Sequence, residues 1–270
     1  MPFKHTTPGL RQAAVAGSFY PASAKKLNQK VADLLAASPA RERPDLSGII
    51  VPHAGYVYSG PVAAAAFMSV RSVKSRIRRA VIVGPAHFVP FRGIAAPSHR
   101  AFVTPLGEMP VDTEAVRKLV EAAITVIDDE PHARDHAIEV ELPFLQAIFG
   151  ELPIVPLLFG SASAHAVATA IERTWTDETL LVVSSDLSHY EDYAAARSHD
   201  EHTAEAIEAL DEIAIGPADA CGHLAIRGAL IEAKRRSLAI ERLDLRNSGD
   251  TAGDKRSVVG YGAWVIGKRP

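Results

Sequence analysis

Three short apolar runs in this chain each lead to a histidine: IIVPHAGYVYSG from Ile49 reaches His53, VIVGPAH from Val81 reaches His87, and LLVVSSDLSHY from Leu180 reaches His189. A continuous apolar run closed by proline, glycine or serine is the pattern of a strand buried on both faces, and such strands belong to sheets covered by helices. In an open α/β sheet, ligands bind outside the carboxyl ends of the strands. Side chains placed there converge although they are far apart in sequence. His53, His87 and His189 are therefore read as one site.

At 270 residues, with no Pro/Gly/Ser-rich linker or shift in composition, the chain is read as one domain spanning 1–270. A net charge of -3 gives no reason to expect a nucleic-acid partner. The basic patch Arg76 to Arg79, RIRR, is read as a solvated turn before a strand. A single cysteine excludes an intramolecular disulfide, so the fold does not call for an oxidising compartment. The start, MPFKHTTPGLRQ, lacks the apolar core of a signal peptide, and nowhere do about eighteen apolar residues run unbroken. The expectation is a cytoplasmic protein without a membrane partner.

Ser23 is placed to cap a helix bearing Leu27, Val31, Leu34 and Leu35 at helical spacing. Ser59 and Pro61 open a second, small-faced helix, PVAAAAFMSV, suited to lying close against a sheet. Between Gly93 and Val111, Pro97, Pro105, Gly107 and Pro110 suggest a hairpin or an excursion at a sheet edge. Asp112 caps a helix to about Ile124. Strands are expected at Pro153 to Phe159, Thr179 to Ser185, Ala239 to Leu245 and Val258 to Ile266, and helices at Ala164 to Trp175, Ser198 to Leu210 and from Asp219 onward. β segments alternating with helices, without a repeat of fixed period, point to a three-layer α/β/α fold around a mostly parallel or mixed sheet.

Neutral imidazole is the commonest protein ligand for transition metals, and histidines converging at strand ends with one thiolate make a first shell. The expected place of Cys221, in the first turn of a helix, lowers a thiol's pKa and favours the thiolate. The stretch DHAIEVELPF places His136 and Glu139 three residues apart, on one face of a helical turn. They are either partners that fix imidazole tautomers or a structural network beneath the site. Tyr56 and Tyr58 follow the first histidine and either line the pocket or sit half-buried at its rim. The loop NSGDTAGDKRS, with Asp250, either offers backbone donors to an anion or simply reverses the chain. His5, His99, His132, His165, His199 and His202 lack strand-end context and are read as surface residues.

AGSFYP (Ala16 to Pro21), PHAGYVYSG (Pro52 to Gly60), GPAHF (Gly84 to Phe88), DHAIEVELPF (Asp135 to Phe144), SSDLSHY (Ser184 to Tyr190), CGHLAI (Cys221 to Ile226) and NSGDTAGDKRSVVGYGA (Asn247 to Ala263) together resemble the Memo family, in that family's order and over nearly the whole chain. The resemblance implies a fold similar to class III extradiol dioxygenases and one iron or copper ion. It implies His53, His87 and Cys221 as ligands, His189 as an acid/base group, and Asp186 beside it. Ring-cleaving enzymes of that fold use two histidines and a carboxylate, so a cysteine in the third place softens the donor set toward copper and puts ring cleavage in doubt. It also implies, for bacterial and archaeal relatives, a radical-SAM enzyme as pathway partner.

Three readings follow. The first is a metal-binding, redox-active protein acting on an unidentified small molecule or peptide. The second is a module that holds a peptide or anion in a vestigial pocket. The third is a hydrolase with Cys221 as nucleophile and His189 or His223 as base. No G-x-S-x-G elbow, P-loop or G-x-G-x-x-G is present.

Overall fold

The computed structural model describes residues 9–39, 42–251 and 253–268. In chain order its first strands are β1 (Leu10–Arg11), β2 (Leu46–Val51), β3 (Arg79–Pro85), β4 (Ile94–Ala96), β5 (Ala101–Thr104) and β6 (Gly107–Pro110). They are followed by β7 (Val126–Ile127), β8 (Ile154–Phe159), β9 (Thr179–Ser184), β10 (His189–Glu191), β11 (Ala239–Asn247) and β12 (Val258–Gly267).

At the centre, β2, β9, β3 and β8 lie side by side in that order, all parallel. Every residue of β8 and β9 is buried, as a strand covered on both faces requires. The antiparallel β4 and then β7 extend the sheet beyond β8, and β12 runs antiparallel to β2 on the other side. β12 also pairs with β10 and β11, completing a mixed nine-stranded sheet.

The two helical layers follow from the order of connections. From β2 the chain passes through the helix Gly60–Val70 to β3, and later through Leu142–Phe149 to β8, crossing the sheet in one direction. It then turns back through Ala164–Thr174 to insert β9 between β2 and β3. Right-handed crossovers travelling in opposite directions place their helices on opposite faces. The packing agrees: Ala24–Ala37, Gly60–Val70 and Leu142–Phe149 pack together, whereas Ala164–Thr174 packs on His223–Arg235, which rests on β3 and β9. Buried Ala63, Ala64 and Ala66 let the Gly60–Val70 helix lie close over β2 and β12, as its small face predicts.

The punctuated stretch after Gly93 is indeed an excursion. β4 pairs with β8, after which β5 and β6 form a hairpin that joins β1 in a separate three-stranded sheet. Asp112 caps the helix Thr113–Glu121 by accepting from the Ala115 N–H at 2.9 Å. Two helix starts differ from expectation. The helix expected from Ser198 begins earlier, at Tyr193, because Asp192 accepts from the N–H groups of Ala194 and Ala195. The last long helix begins at His223 rather than near Asp219, whose carboxylate is turned to the Gly216 N–H (2.6 Å) and His199 Nε2 (2.7 Å). Among the described residues, no helix is long and apolar enough to cross a membrane.

Candidate metal centre

β2, β9 and β3 are immediate neighbours, so the loops leaving their carboxyl ends meet. His53 follows β2 by two residues and is almost wholly buried. Its backbone N–H donates to Asp186 Oδ1 (2.8 Å), Nδ1 lies 2.7 Å from Ser184 Oγ, and Nε2 lies 3.3 Å from Cys221 Sγ. His87 follows β3. Its backbone N–H donates to Asp135 Oδ2 at 2.6 Å, and Nδ1 lies 3.2 and 3.3 Å from the two oxygens of the same carboxylate. Asp135 thereby fixes the ring and leaves Nε2 outward, the usual arrangement of a histidine prepared for a metal. Burial raises the Asp135 pKa, but hydrogen bonds from His87 and the Ala137 N–H outweigh it and hold the carboxyl below its ordinary range.

His136 comes not from a strand end but from the loop after the short helix Glu130–Arg134. Its ring stacks on His87 (centroids 4.4 Å apart, planes 21° apart) and stands edge-on to His53 (5.2 Å, 89°). One nitrogen from each of His53, His87 and His136 lies within 4.8 Å of the other two, so this trio could hold a metal ion. Burial pushes the His53 pKa well below its usual value, and the neighbouring His87, His136 and His189 push the same way. Burial, then His87, lowers His136 to about 4. Both rings are neutral near pH 7, which is the form that ligates metals.

The thiol behaves otherwise than its expected helical position suggests. Cys221 precedes the cap residue Gly222 and so lies outside the first turn of the helix. Burial, then the Asp186 carboxylate, pushes its pKa up to about 12. Gly222 is forced by space: its N–H donates to Ser185 Oγ at 2.8 Å, and a Cβ there would come within 2.5 Å of Ser185 Cβ.

Asp186 is buried, and despite the N–H groups of His53 and Ala54 its pKa is raised to about 7, chiefly by loss of water. A folded-state value above that of an unfolded aspartate means the native protein holds this proton longer. The stability tied to it is full below about pH 4 and is lost as pH rises toward about 7. In metal-free protein, Asp186→Asn, whose amide oxygen still accepts from His53, is expected to flatten this decline. Thermal melts of both proteins across the interval check it, and parallel declines would refute the assignment.

His189 lies on β10 and is exposed, with Nδ1–H donating to the Leu187 carbonyl at 2.7 Å. It belongs to the same neighbourhood electrostatically but not to the trio. Tyr56 is turned into the interior. It is buried, and its hydroxyl donates to the Val140 carbonyl at 2.7 Å, because the ring is packed between Tyr20 and Phe144. Glu139 touches no imidazole nitrogen. It is fully buried, pairs with Arg11, and accepts from the N–H groups of Ala14 and Val15 and from the Tyr20 hydroxyl, which makes it the structural network of the two readings. His223 opens its helix near Arg227 and Asp219, outside the trio. Asp250 accepts from the Tyr193 hydroxyl (2.5 Å) and the Asn247 N–H (3.1 Å) in a separate cleft of about 610 Å³.

Among the remaining histidines, His165 and His202 are exposed as expected, and His5 lies outside the described residues. His132 is not on the surface. It is buried against Phe102, donates from Nε2 to the Ala95 carbonyl, and has a pKa lowered to about 4 by burial. His99 is partly buried beside Asp129, and His199 is held between Glu191 and Asp219. Sequence reasoning assigned no role to Asp135, Ser184 or Glu141. The only signals were an acid directly before His136, a second serine before Asp186, and an acid leading an apolar helix.

The sequence profile of the family described as "Memo-like protein" matches residues 11–265. A MEMO1 family protein of Nitrosopumilus maritimus is 33% identical over 94% of this chain and 98% of its own length. Another, from Saccharolobus solfataricus, is 35% identical over 93% of this chain and 97% of its own. Among solved structures, the uncharacterized protein JW3007 from Escherichia coli K12 superposes with a TM-score of 0.56 at 15% identity, covering 82% of this chain and all of that one, a likeness of fold.

Proposed function

The chain belongs to the family of Memo-like proteins, and on that premise we propose that it binds one redox-active metal ion, iron or copper, through His53, His87 and Cys221, and uses it on a small organic or peptide substrate. The observation that carries this reading is the pair of pre-oriented rings of His53 and His87 with a thiol 3.3 Å from His53 Nε2. That spacing is near the roughly 3.5 Å between two donors on one tetrahedral ion with metal–nitrogen and metal–sulfur bonds of about 2.0 and 2.3 Å. His136 is close enough to serve, but its ring is nearly parallel to that of His87. Lone pairs lie in the ring plane, so an ion shared by rings only 21° apart would sit out of the plane of at least one of them. This counts for Cys221 as the third donor, although its sulfur, close to His53 Nε2, stands outside the cluster that the three imidazoles form, and His136 is the alternative.

A set of two imidazoles and one thiolate is softer than two imidazoles and a carboxylate, which favours copper more than the dioxygenase set does. Such an ion, when bound, supplies one-electron chemistry. The chain's own residues do the rest: Asp135 orients His87, and Asp186 holds the His53 backbone. His189, exposed and with its Nδ1 proton committed to Leu187, has Nε2 free to take a proton from a substrate. The exposed apolar side chains Val57, Tyr58, Phe88 and Tyr190 follow these histidines in sequence and suit an organic ligand. A cysteine hydrolase is poorly supported, because a thiol at about 12 is a weak nucleophile and its nearest imidazole is His53, not His189 or His223.

The test is elemental analysis of protein purified anaerobically without an affinity tag, followed by titration with Fe(II) and Cu(I). One ion per chain is expected. Failure of both ions to bind at micromolar concentration would overturn the proposal in favour of a metal-free ligand-binding module.

A further inference from the structure

We infer that Ser184 and Glu141 form a positioning relay behind His53: a neutral Glu141 donates to the Ser184 hydroxyl, which donates to the Ala137 carbonyl and accepts from the Nδ1–H of His53, leaving Nε2 unprotonated.

The argument is a count of protons. Ser184 Oγ has three partners: His53 Nδ1 at 2.7 Å, the Ala137 carbonyl at 2.7 Å and Glu141 Oε1 at 3.1 Å. A hydroxyl carries one proton and two acceptor sites. The Ala137 carbonyl can only accept, so the proton goes there. The other two partners must then donate. His53 is therefore the Nδ1–H tautomer, and Glu141 Oε1 bears a hydrogen.

The state of Glu141 has separate support. The residue is fully buried, and its Oε2 has no hydrogen-bond partner. A charged oxygen left bare in the interior is far more costly than the carbonyl oxygen of a neutral acid. Burial raises the Glu141 pKa well above its usual value, Asp186 adds to the rise, and the Ser184 contact only partly opposes it.

The relay also explains the placement of two elements. Ser184 is the last residue of β9, the strand between those that lead to His53 and His87. Ala137 and Glu141 belong to the segment that begins with Asp135 and His136. One hydroxyl thus ties the loop beside His87 to the ring of His53. Its consequence for metal binding rests on the function proposed above, whereas the tautomer itself does not.

The experiment is nitrogen NMR of metal-free protein labelled at histidine, with His53 assigned by its loss in His53→Ala. Wild-type protein is expected to show a protonated Nδ1 and a bare Nε2 at His53. Infrared spectra at neutral pH are expected to show the carbonyl stretch of a protonated carboxylic acid that disappears in Glu141→Gln. Ser184→Ala should shift His53 toward Nε2–H and weaken metal binding by roughly 10–100-fold. Glu141→Gln, whose amide also donates, should keep the wild-type tautomer. A wild-type His53 protonated at Nε2, no acid band assignable to Glu141, or an unchanged tautomer in Ser184→Ala would each overturn the relay. A wild-type protein that shows the signature yet binds neither ion would overturn the proposed function and leave the relay standing.

Discussion

His53→Ala and His87→Ala are expected to bring the metal content from one ion per chain to background, as read by elemental analysis after dialysis against Fe(II) or Cu(I). Each ring is already oriented by an outer partner, Ser184 for His53 and Asp135 for His87. Replacing an outer partner typically weakens a site by roughly 10–100-fold, so deleting a donor should cost more than that. The pair Cys221→Ala and His136→Ala then separates the two candidates for third donor. With Cys221 as donor, its variant loses the ion while His136→Ala keeps most of it; with His136, the order reverses. His189→Ala should retain metal, because that imidazole lies outside the trio. Equal retention in all five variants would show that the ion, if any, binds elsewhere.

Glu139→Ala is expected to destabilise the fold by about 3–5 kcal/mol, the usual cost of leaving one partner of a buried ion pair uncompensated. Arg11 and Glu139 are both buried, and the guanidinium also donates to the carbonyls of His132 (2.9 Å) and Asp135 (2.6 Å). The same carboxylate collects the N–H groups of Ala14 and Val15 and the Tyr20 hydroxyl. Its loss would therefore release the segment from Arg11 to Tyr20 from the segment that carries Asp135 and His136. Urea unfolding followed by tryptophan fluorescence measures the change, and a loss below about 1 kcal/mol would rule out this account. Replacing both Arg11 and Glu139 by leucine should recover part of the stability, since a buried pair exchanged for apolar packing is often neutral.

The central architecture was legible because buried parallel strands write themselves as unbroken apolar runs. The runs before His53, His87 and His189 are β2, β3 and β9, and their adjacency is the reason the first two histidines meet. His136 was not legible as a member of the trio, because it sits in a loop between a five-residue helix and a 3-10 turn, where no periodicity marks a direction. The direction of Tyr56 was equally hidden. Its motif sits beside the histidine, but the ring turns toward Phe144, a residue far along the chain. The expected acidity of Cys221 failed for two reasons: the helix begins at His223, which leaves the thiol outside its first turn, and burial, which no local pattern displays, raises the pKa. The small sheet of β1, β5 and β6 depends on a two-residue strand, too short to show an alternation.

β12 acts as a gauge. Its opening residues Val258 and Val259 hold β10, the strand of His189, while residues from Trp264 onward hold β2, which runs back along it toward His53. The gap between His189 and the His53 ring is thus set by a few residues of one strand, at about 3.4 Å each. One residue inserted between Gly260 and Trp264 would invert which side chains face the core beyond that point and slide His189 away from His53. Every histidine would still stand in its familiar motif. The trio of His53, His87 and His136 would remain, but His189 would no longer stand where it does beside it, because that spacing is measured out along a strand that carries none of the four histidines.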